Sequence, residues 1–175
     1  MSFPRAVVST AAVLSVLTSL TLGLSGCGPA KETASAATPA AASVASAPAV
    51  DLTNGKNVFT RVCSVCHQLN GAGVPGVFPP LAGSEIVDGD PHRLIRIVLA
   101  GLQGPIEVSG KTYNSVMPPQ AAMLKDQEIA DVLSYVRSSW GHSAAPVAVA
   151  DVATLRAENR TTFWTWTELN AASAK

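Results

Sequence analysis

The sequence is poor in charge, in cysteine and in internal repetition. Only 14% of its 175 residues are charged, and twelve basic side chains balance twelve acidic ones, so the formal net charge is zero. A chain with no excess of either sign offers no electrostatic attraction to nucleic acid or to an anionic membrane surface. No internal repeat is visible, and the length suits one domain with extensions.

The three cysteines are too few for a disulfide framework, and two of them stand in one short motif, Cys63-Ser64-Val65-Cys66-His67. A redox dithiol of this spacing belongs in a strand–helix context, which is absent here. A structural zinc site needs four ligands, and no second Cys/His pair follows at ligand spacing. Cys-x-x-Cys-His is the pattern that fixes a c-type haem covalently. The sequence therefore predicts one haem c, joined by thioether bonds to Cys63 and Cys66, with His67 as the proximal iron ligand.

The third cysteine lies at the end of an apolar N-terminal run. Arg5 is followed by residues 6–24 without a charge, which is the outline of an export signal. Leu24-Ser25-Gly26-Cys27 resembles the lipobox of bacterial lipoproteins, which implies removal of residues 1–26 and lipidation of Cys27. An uncleaved transmembrane anchor is the alternative. Both interpretations attach the protein to a membrane with the haem on the periplasmic side, and Gly28, where inner-membrane lipoproteins often carry Asp, favours the outer membrane.

Composition divides the rest of the chain into three parts. Residues 27–50 comprise the lipidated cysteine and an Ala/Ser/Pro-rich tether, which cannot bury enough apolar area to fold and is predicted to be disordered. Residues 51–144 form the haem domain, and residues 145–175 form a C-terminal extension.

Three helices are predicted in the haem domain. Apolar spacing predicts helices over Thr53–Val62 and over Gln127–Trp140. Between them, Asp90 precedes Pro91 as an N-cap, and the apolar face that follows ends near Gly101–Gly104.

This pattern resembles the class I c-type cytochromes. In that family the first and last helices cross beside the haem, and the matching residues here are Gly55 and Phe59 against Val132 and Tyr135. The resemblance implies an all-α cytochrome c fold, with three to four helices around one covalent haem and long irregular loops.

The family also suggests a hydrogen bond to the proximal histidine. Pro79-Pro80-Leu81-Ala82-Gly83 matches its Pro-x-Leu-x-Gly motif. There the proline carbonyl, here that of Pro79, accepts a hydrogen bond from the histidine, here His67, which orients the ring. A rigid turn without that role is the alternative.

The sixth iron position has four candidate ligands, Met117, Met123, His92 and His142, or it is open. Met117 lies in an irregular stretch before the last helix and precedes Pro118, as the distal methionine of the family commonly does. Met123 stands at the mouth of that helix, where a core or capping contact is usual, and His92 falls in a first turn exposed to solvent. Met117 is therefore the predicted ligand.

The ligand set decides between two functions. With two strong protein ligands the iron has no vacant position, so the protein would carry electrons and would not be an enzyme. An open sixth position would instead suit a haem-based sensor or a peroxidase-like protein.

The C-terminal extension carries a short predicted helix over Asp151–Arg160 and an aromatic cluster of Phe163, Trp164 and Trp166. Such large rings either pack on the haem domain or form a docking surface. Trp140-Gly141 and the Val-x-x-Leu-Arg-Ala stretch from Val152 loosely resemble cytochrome subunits or domains of quinoprotein dehydrogenases and copper nitrite reductases. The resemblance implies redox partners, namely a dehydrogenase, an oxidase or a reductase.

Overall fold

The computed structural model describes residues 49–173. The predicted signal peptide, the lipidated Cys27 and the tether up to residue 48 lie outside the described residues. The helices are α1 (Leu52–Val58), α2 (Ser64–His67), α3 (Glu85–Asp88), α4 (Pro91–Ala100), α5 (Asp126–Arg137), α6 (Val149–Arg156) and α7 (Trp166–Ser173). Within residues 49–173, none of them combines the length and the apolarity needed to cross a bilayer.

The first helical stretch continues through the cysteine motif. It begins at Asp51, whose carboxylate accepts hydrogen bonds from the backbone N–H groups of Thr53 and Asn54 at 2.8 and 3.0 Å. A π-helical segment, Phe59–Cys63, joins α1 to α2 without a break. The prediction that a helix leads into the motif is confirmed. The π-helical segment adds a residue to the turn just before the first cysteine, which changes the direction of the side chains that follow.

The crossing of α1 and α5 positions this stretch. A Cβ atom on Gly55 would lie 2.2 Å from the carbonyl oxygen of Asp131, so the two backbones touch there. The rings of Phe59 and Tyr135 pack at 5.7 Å beside the contact. The predicted crossing is confirmed, except that Asp131 and Tyr135 face the glycine while Val132 lines an internal cavity.

The last helix of the haem domain is shorter than predicted. α5 ends at Arg137, and Trp140 lies in the following turn with a positive φ of 51°. Its ring nevertheless packs on Phe59 at 5.1 Å and on Tyr135 at 5.9 Å. The apolar spacing therefore identified a residue of the core, but not one of the helix.

The middle helix agrees with its prediction at both ends. The side chain of Asp90 accepts a hydrogen bond from the backbone N–H of His92 at 2.9 Å, and Gly101, with φ of 79°, ends α4. Its buried side chains include Leu94, Ile95 and Ile97.

A small hairpin was not predicted. Strands β1 (Ile106–Val108) and β2 (Lys111–Tyr113) pair antiparallel, with Ile106 opposite Tyr113. The intervening Ser109 and Gly110 both have positive φ, 51° and 71°, as a type I′ turn requires. Over the described residues the fold is therefore mostly helical, with one two-stranded sheet. Strands of three residues are too short to show a period, although Ser-Gly is a turn signal.

The C-terminal extension packs back onto the haem domain, as one of the two alternatives predicted. Trp164 is 9% exposed, and Val147, Val152 and Leu169 belong to the same hydrophobic core as α4 and α5. The predicted helix is present as α6, which begins two residues and ends four residues before the predicted bounds. Helices α3 and α7 were not predicted.

Candidate haem-binding site

A large apolar cavity lies between the cysteine motif and the segment that contains Met117. It encloses about 1170 Å³ of space free of protein atoms, including the part that opens to solvent. Its wall includes α4, α5, the hairpin, the loop from Phe78 to Ser84 and residues 115–120. None of the 26 lining residues is Asp, Glu, Lys or Arg. Such a wall suits a large, flat, apolar ligand better than a charged one.

His67 lines the cavity, and the carbonyl group of Pro79 orients its ring. Its Nδ1 lies 3.0 Å from the carbonyl oxygen of Pro79, the contact that the family motif predicted. Burial lowers the pKa of His67 and so favours the neutral ring, although the hydrogen bond to Pro79 acts in the opposite direction. A neutral ring that donates through Nδ1 keeps the Nε2 lone pair for a metal ion.

A glycine lets the loop behind His67 pack this tightly. The backbone N–H of Gly73 donates to the carbonyl oxygen of His67 at 2.9 Å. With φ of 64°, a Cβ on Gly73 would lie 2.4 Å from the carbonyl oxygen of Phe78 and 2.6 Å from that of Pro79. The loop that presents the Pro79 carbonyl therefore requires glycine at this position.

Cys63 and Cys66 line the same cavity as free, partly buried thiols. Burial, reinforced by the charge of Cys66 and opposed by Arg61, raises the pKa of the Cys63 thiol to about 11. Redox-active dithiols depend on a lowered thiol pKa, so this environment disfavours that function. Among residues 49–173 no group of three or more His, Cys, Asp or Glu side chains could hold a metal ion, which disfavours a zinc site.

Of the two candidate methionines, only Met117 lines the cavity. Its backbone N–H donates to the carbonyl oxygen of Leu102 at 2.9 Å, and its carbonyl oxygen accepts from the Leu102 N–H at 3.0 Å. Met123 is 66% exposed and is absent from the cavity wall.

Neither candidate histidine lines the cavity. The side chain of His92 is half exposed and lies 3.9 Å from Asp151. His142 is buried, but its Nδ1 lies 2.8 Å from a carboxylate oxygen of Asp88 and its Nε2 lies 2.8 Å from the carbonyl oxygen of Leu81. Both nitrogens of this ring are therefore engaged by oxygen atoms, which leaves none for iron.

Two polar side chains in the cavity wall matter for the fit of a ligand. Gln120, which the sequence did not single out, is buried and its Oε1 has no hydrogen-bond partner, while its Nε2 donates to the carbonyl oxygen of Pro118 at 2.9 Å. A buried acceptor without a partner is costly, and a hydrogen-bond donor on the ligand would satisfy it. Tyr113 also lines the cavity, whereas Arg93 stacks on Trp166 at 4.8 Å and lies outside it. Two thiols, an imidazole, a thioether and an apolar wall with a few polar atoms fit a covalently held haem.

Comparison with known proteins agrees with this fit. The family model for cytochrome c matches residues 52–140. Cytochrome c-552 of Thermus thermophilus is 44% identical over 117 residues, which cover 62% of this chain and 88% of that protein. The cytochrome c subunit of the quinone alcohol dehydrogenase of Gluconacetobacter polyoxogenes is 37% identical over 105 residues, which cover 58% of this chain and 22% of that subunit.

The gluconate 2-dehydrogenase cytochrome c subunit of Pantoea cypripedii is 38% identical over 109 residues, covering 61% of this chain and 24% of that subunit. The fold, the cavity and these relatives agree, and the chain belongs to the cytochrome c family as an electron-transfer protein with covalently bound haem c.

Proposed function

We propose that this cytochrome c ligates its iron through His67 and Met117 and carries single electrons between redox proteins on the periplasmic side of a membrane. The observation that carries the proposal is the shared cavity. Cys63, Cys66, His67 and Met117 all line it, whereas Met123, His92 and His142 do not.

Each residue has a distinct task in this proposal. Cys63 and Cys66 would hold the haem covalently through their thiols. The carbonyl oxygen of Pro79 accepts the hydrogen bond from Nδ1 of His67, which leaves Nε2 available to the metal. Met117 would supply a sulphur ligand, and with both protein ligands in place no position would stay open for a substrate. When bound, the haem supplies a reversible one-electron couple at its iron.

The apolar wall tunes that couple. With no Asp, Glu, Lys or Arg in the lining, the cavity offers no counter-charge to the additional positive charge of ferric iron. A low-dielectric environment disfavours that charge, and a methionine ligand also favours ferrous iron. Both effects raise the reduction potential.

The surface around the site suggests the chemistry of the partner. Residues 62–84 and 112–124, which supply much of the cavity wall, contain no Asp, Glu, Lys or Arg. Val65 and Val116 in these segments are 74% and 53% exposed. A redox partner that docks here would present an uncharged, partly apolar face, and its association rate would change little with salt concentration. The dehydrogenase cytochrome subunits among the relatives support a dehydrogenase as one partner, with an oxidase or a reductase as the other.

Anchoring to the membrane through Cys27 completes the proposal. It is supported by the uncharged run of residues 6–24 and by the Leu24-Ser25-Gly26-Cys27 pattern. We expect the full-length protein to incorporate labelled palmitate and to fractionate with membranes, most of it with the outer membrane. The Cys27→Ser variant should lose the label, and incorporation that persists in this variant would refute lipidation at Cys27.

The same substitution made separately at each of the two methionines tests the ligand assignment. The protein is produced in a host with haem-attachment machinery, and its mass should include one haem. The ferric wild type should show the weak far-red absorption band of methionine-ligated haem. Met117→Leu should abolish the band, whereas Met123→Leu, a control for the same chemical change, should keep it. A mass without haem, or a band that depends on Met123, would refute the proposal, and a wild type that lacks the band and binds external ligands freely would favour a sensor or peroxidase-like role.

A further inference from the structure

We propose that the C-terminal extension braces the segment that carries Met117, with Trp164 and Arg156 as positioning residues. In this proposal, residues 145–173 determine how firmly the methionine sulphur stays on the iron. The inference rests on the proposed function, because it requires Met117 to be the axial ligand.

A backbone ladder connects Met117 to the extension. Met117 exchanges two hydrogen bonds with Leu102, at 2.9 and 3.0 Å. On the other side of Leu102, the N–H of Trp164 donates to the carbonyl oxygen of Gly101 at 3.1 Å, and the N–H of Gln103 donates to the carbonyl oxygen of Trp164 at 2.9 Å. Residues 101–103 therefore form the middle of three aligned segments, between Met117 and Trp164.

The ladder has no free space at its centre. Gly101 has φ of 79°, and a Cβ at this position would lie 2.5 Å from the carbonyl oxygen of Met117 and 2.7 Å from a ring carbon of Phe163. The ring of Phe163, in the extension, therefore packs against the same glycine that contacts the backbone of Met117. If residues 163–164 moved away, residues 101–103 would lose their outer support.

The outer segment of the ladder is itself anchored. Trp164 is 9% exposed, and the guanidinium of Arg160 lies 3.7 Å from the centre of its ring system. Arg160 also donates to the carbonyl oxygen of Phe163 at 2.8 Å and pairs with Glu168 at 3.0 Å. A buried indole stacked against a guanidinium that is tied to two further groups has little freedom to move.

A second contact holds the chain that follows Met117. Arg156, in α6, donates through its Nη atoms to the carbonyl oxygens of Ala121 and Leu124, each at 2.7 Å. Its Nε donates to Asp126 at 2.6 Å, at the start of α5. The extension therefore supports the segment 117–126 at both ends. Arg156 binds residues 121–126 directly, and Trp164 supports Met117 through residues 101–103.

These contacts have a functional consequence. The sulphur of Met117 can leave the iron by rotation of its side chain or by movement of its segment away from the cavity, and the brace opposes the second route. Such local opening becomes rarer as more contacts must break for it to occur. Loosening the brace should therefore speed replacement of the methionine by an external ligand, without altering any group that contacts the haem.

The experiment uses full-length, haem-loaded protein. Excess imidazole is mixed with the ferric protein, and the loss of the far-red band gives the exchange rate. Arg156→Met removes three side-chain hydrogen bonds, and Trp164→Ala removes the buried indole while keeping the backbone hydrogen bonds of the ladder. Each should accelerate exchange by at least about tenfold. Trp164→Phe, which keeps an aromatic ring, should stay within about twofold of the wild type.

A matched control separates bracing from general destabilisation. Val58 is fully buried in α1, outside the extension, the ladder and the cavity wall. Val58→Ala should lower the stability to urea but leave the exchange rate within about twofold of the wild type. Equal acceleration in Val58→Ala, or no acceleration in Trp164→Ala and Arg156→Met, would overturn the brace. A wild type without the far-red band would instead refute ligation by Met117, and with it the brace.

Discussion

Replacing Gly55 by alanine tests the helix crossing on which the haem domain depends. The added Cβ would lie 2.2 Å from the carbonyl oxygen of Asp131 and 2.9 Å from the Cβ of Tyr135. Neither atom can rotate away, because one belongs to the backbone and the other is fixed directly to it. An ordinary carbon–oxygen contact is about 3.3 Å, so α1 and α5 must separate by roughly 1 Å.

The expected cost follows from three contributions. Overpacking of a close contact costs about 1 to 3 kcal/mol, and alanine returns about 1 kcal/mol through its better helix propensity. Separation also strains the hydrogen bonds that the buried Asp131 carboxylate accepts from the backbone N–H of Asp51 at 2.9 Å and from the side chain of Asn54 at 2.8 Å. Each is worth about 1 kcal/mol. With both hydrogen bonds lost, the net prediction is a loss of about 2 to 4 kcal/mol.

Urea unfolding of the haem-loaded protein, followed by circular dichroism, measures this loss. Asn57→Ala is the matched control, because Asn57 is exposed on the same helix and gains helix propensity without a clash. We expect the control to equal or exceed the wild type in stability. A Gly55→Ala variant as stable as the wild type would refute the close contact.

Three further variants test other contacts of the haem domain. Glu128 accepts a hydrogen bond from the backbone N–H of Lys125 and pairs with Arg61, and both lower its pKa. At pH values above the ordinary carboxyl pKa, Glu128→Gln should therefore lower the free energy of unfolding by about 0.5 kcal/mol. The difference from the wild type should vanish as the pH falls through the lowered pKa of the folded state. A difference that persists in acid would contradict this assignment. Arg137 is 4% exposed and donates to three backbone carbonyls, so Arg137→Ala should cost about 3 kcal/mol in urea unfolding, and a neutral result would show that water replaces it. Phe59→Ala should cost about 3 to 5 kcal/mol in the same assay because the ring is 1% exposed between two other aromatic rings, and a loss below 1 kcal/mol would mean that the site collapses freely.

Local signals predicted the middle helix well. The cap at Asp90, the proline after it and the glycine at 101 act within a few residues, and α4 begins and ends where they indicate. The contact of Gly55 with the last helix was also predictable, through the resemblance to the cytochrome family. The spacing that included Trp140 overestimated the length of α5, because that ring reaches the core from a turn.

Features that depend on distant partners were beyond prediction. The burial of Arg137 follows from the position of carbonyl oxygens in residues 87–89 and at Ala145, and no pattern in the sequence marks it. Gln120 lies in the cavity only because its segment folds over α4, where its N–H donates to the carbonyl oxygen of Val98 at 2.8 Å. The helix α7 was missed because its sequence lacks a clear apolar period.

The sequence by itself determined the contiguous half of the site. Cys63, Cys66 and His67 are neighbours in the chain, so their spacing alone specifies covalent haem, and the family comparison agrees. The sequence favoured Met117 over Met123, His92 and His142 only through the family resemblance. The tertiary structure adds that Met117 alone of the four lines the cavity, because a residue distant in sequence reaches it through the packing of its whole segment. That packing involves the C-terminal extension, whose contacts with residues 101–103 and 121–126 arise from backbone groups that carry no signature in the sequence.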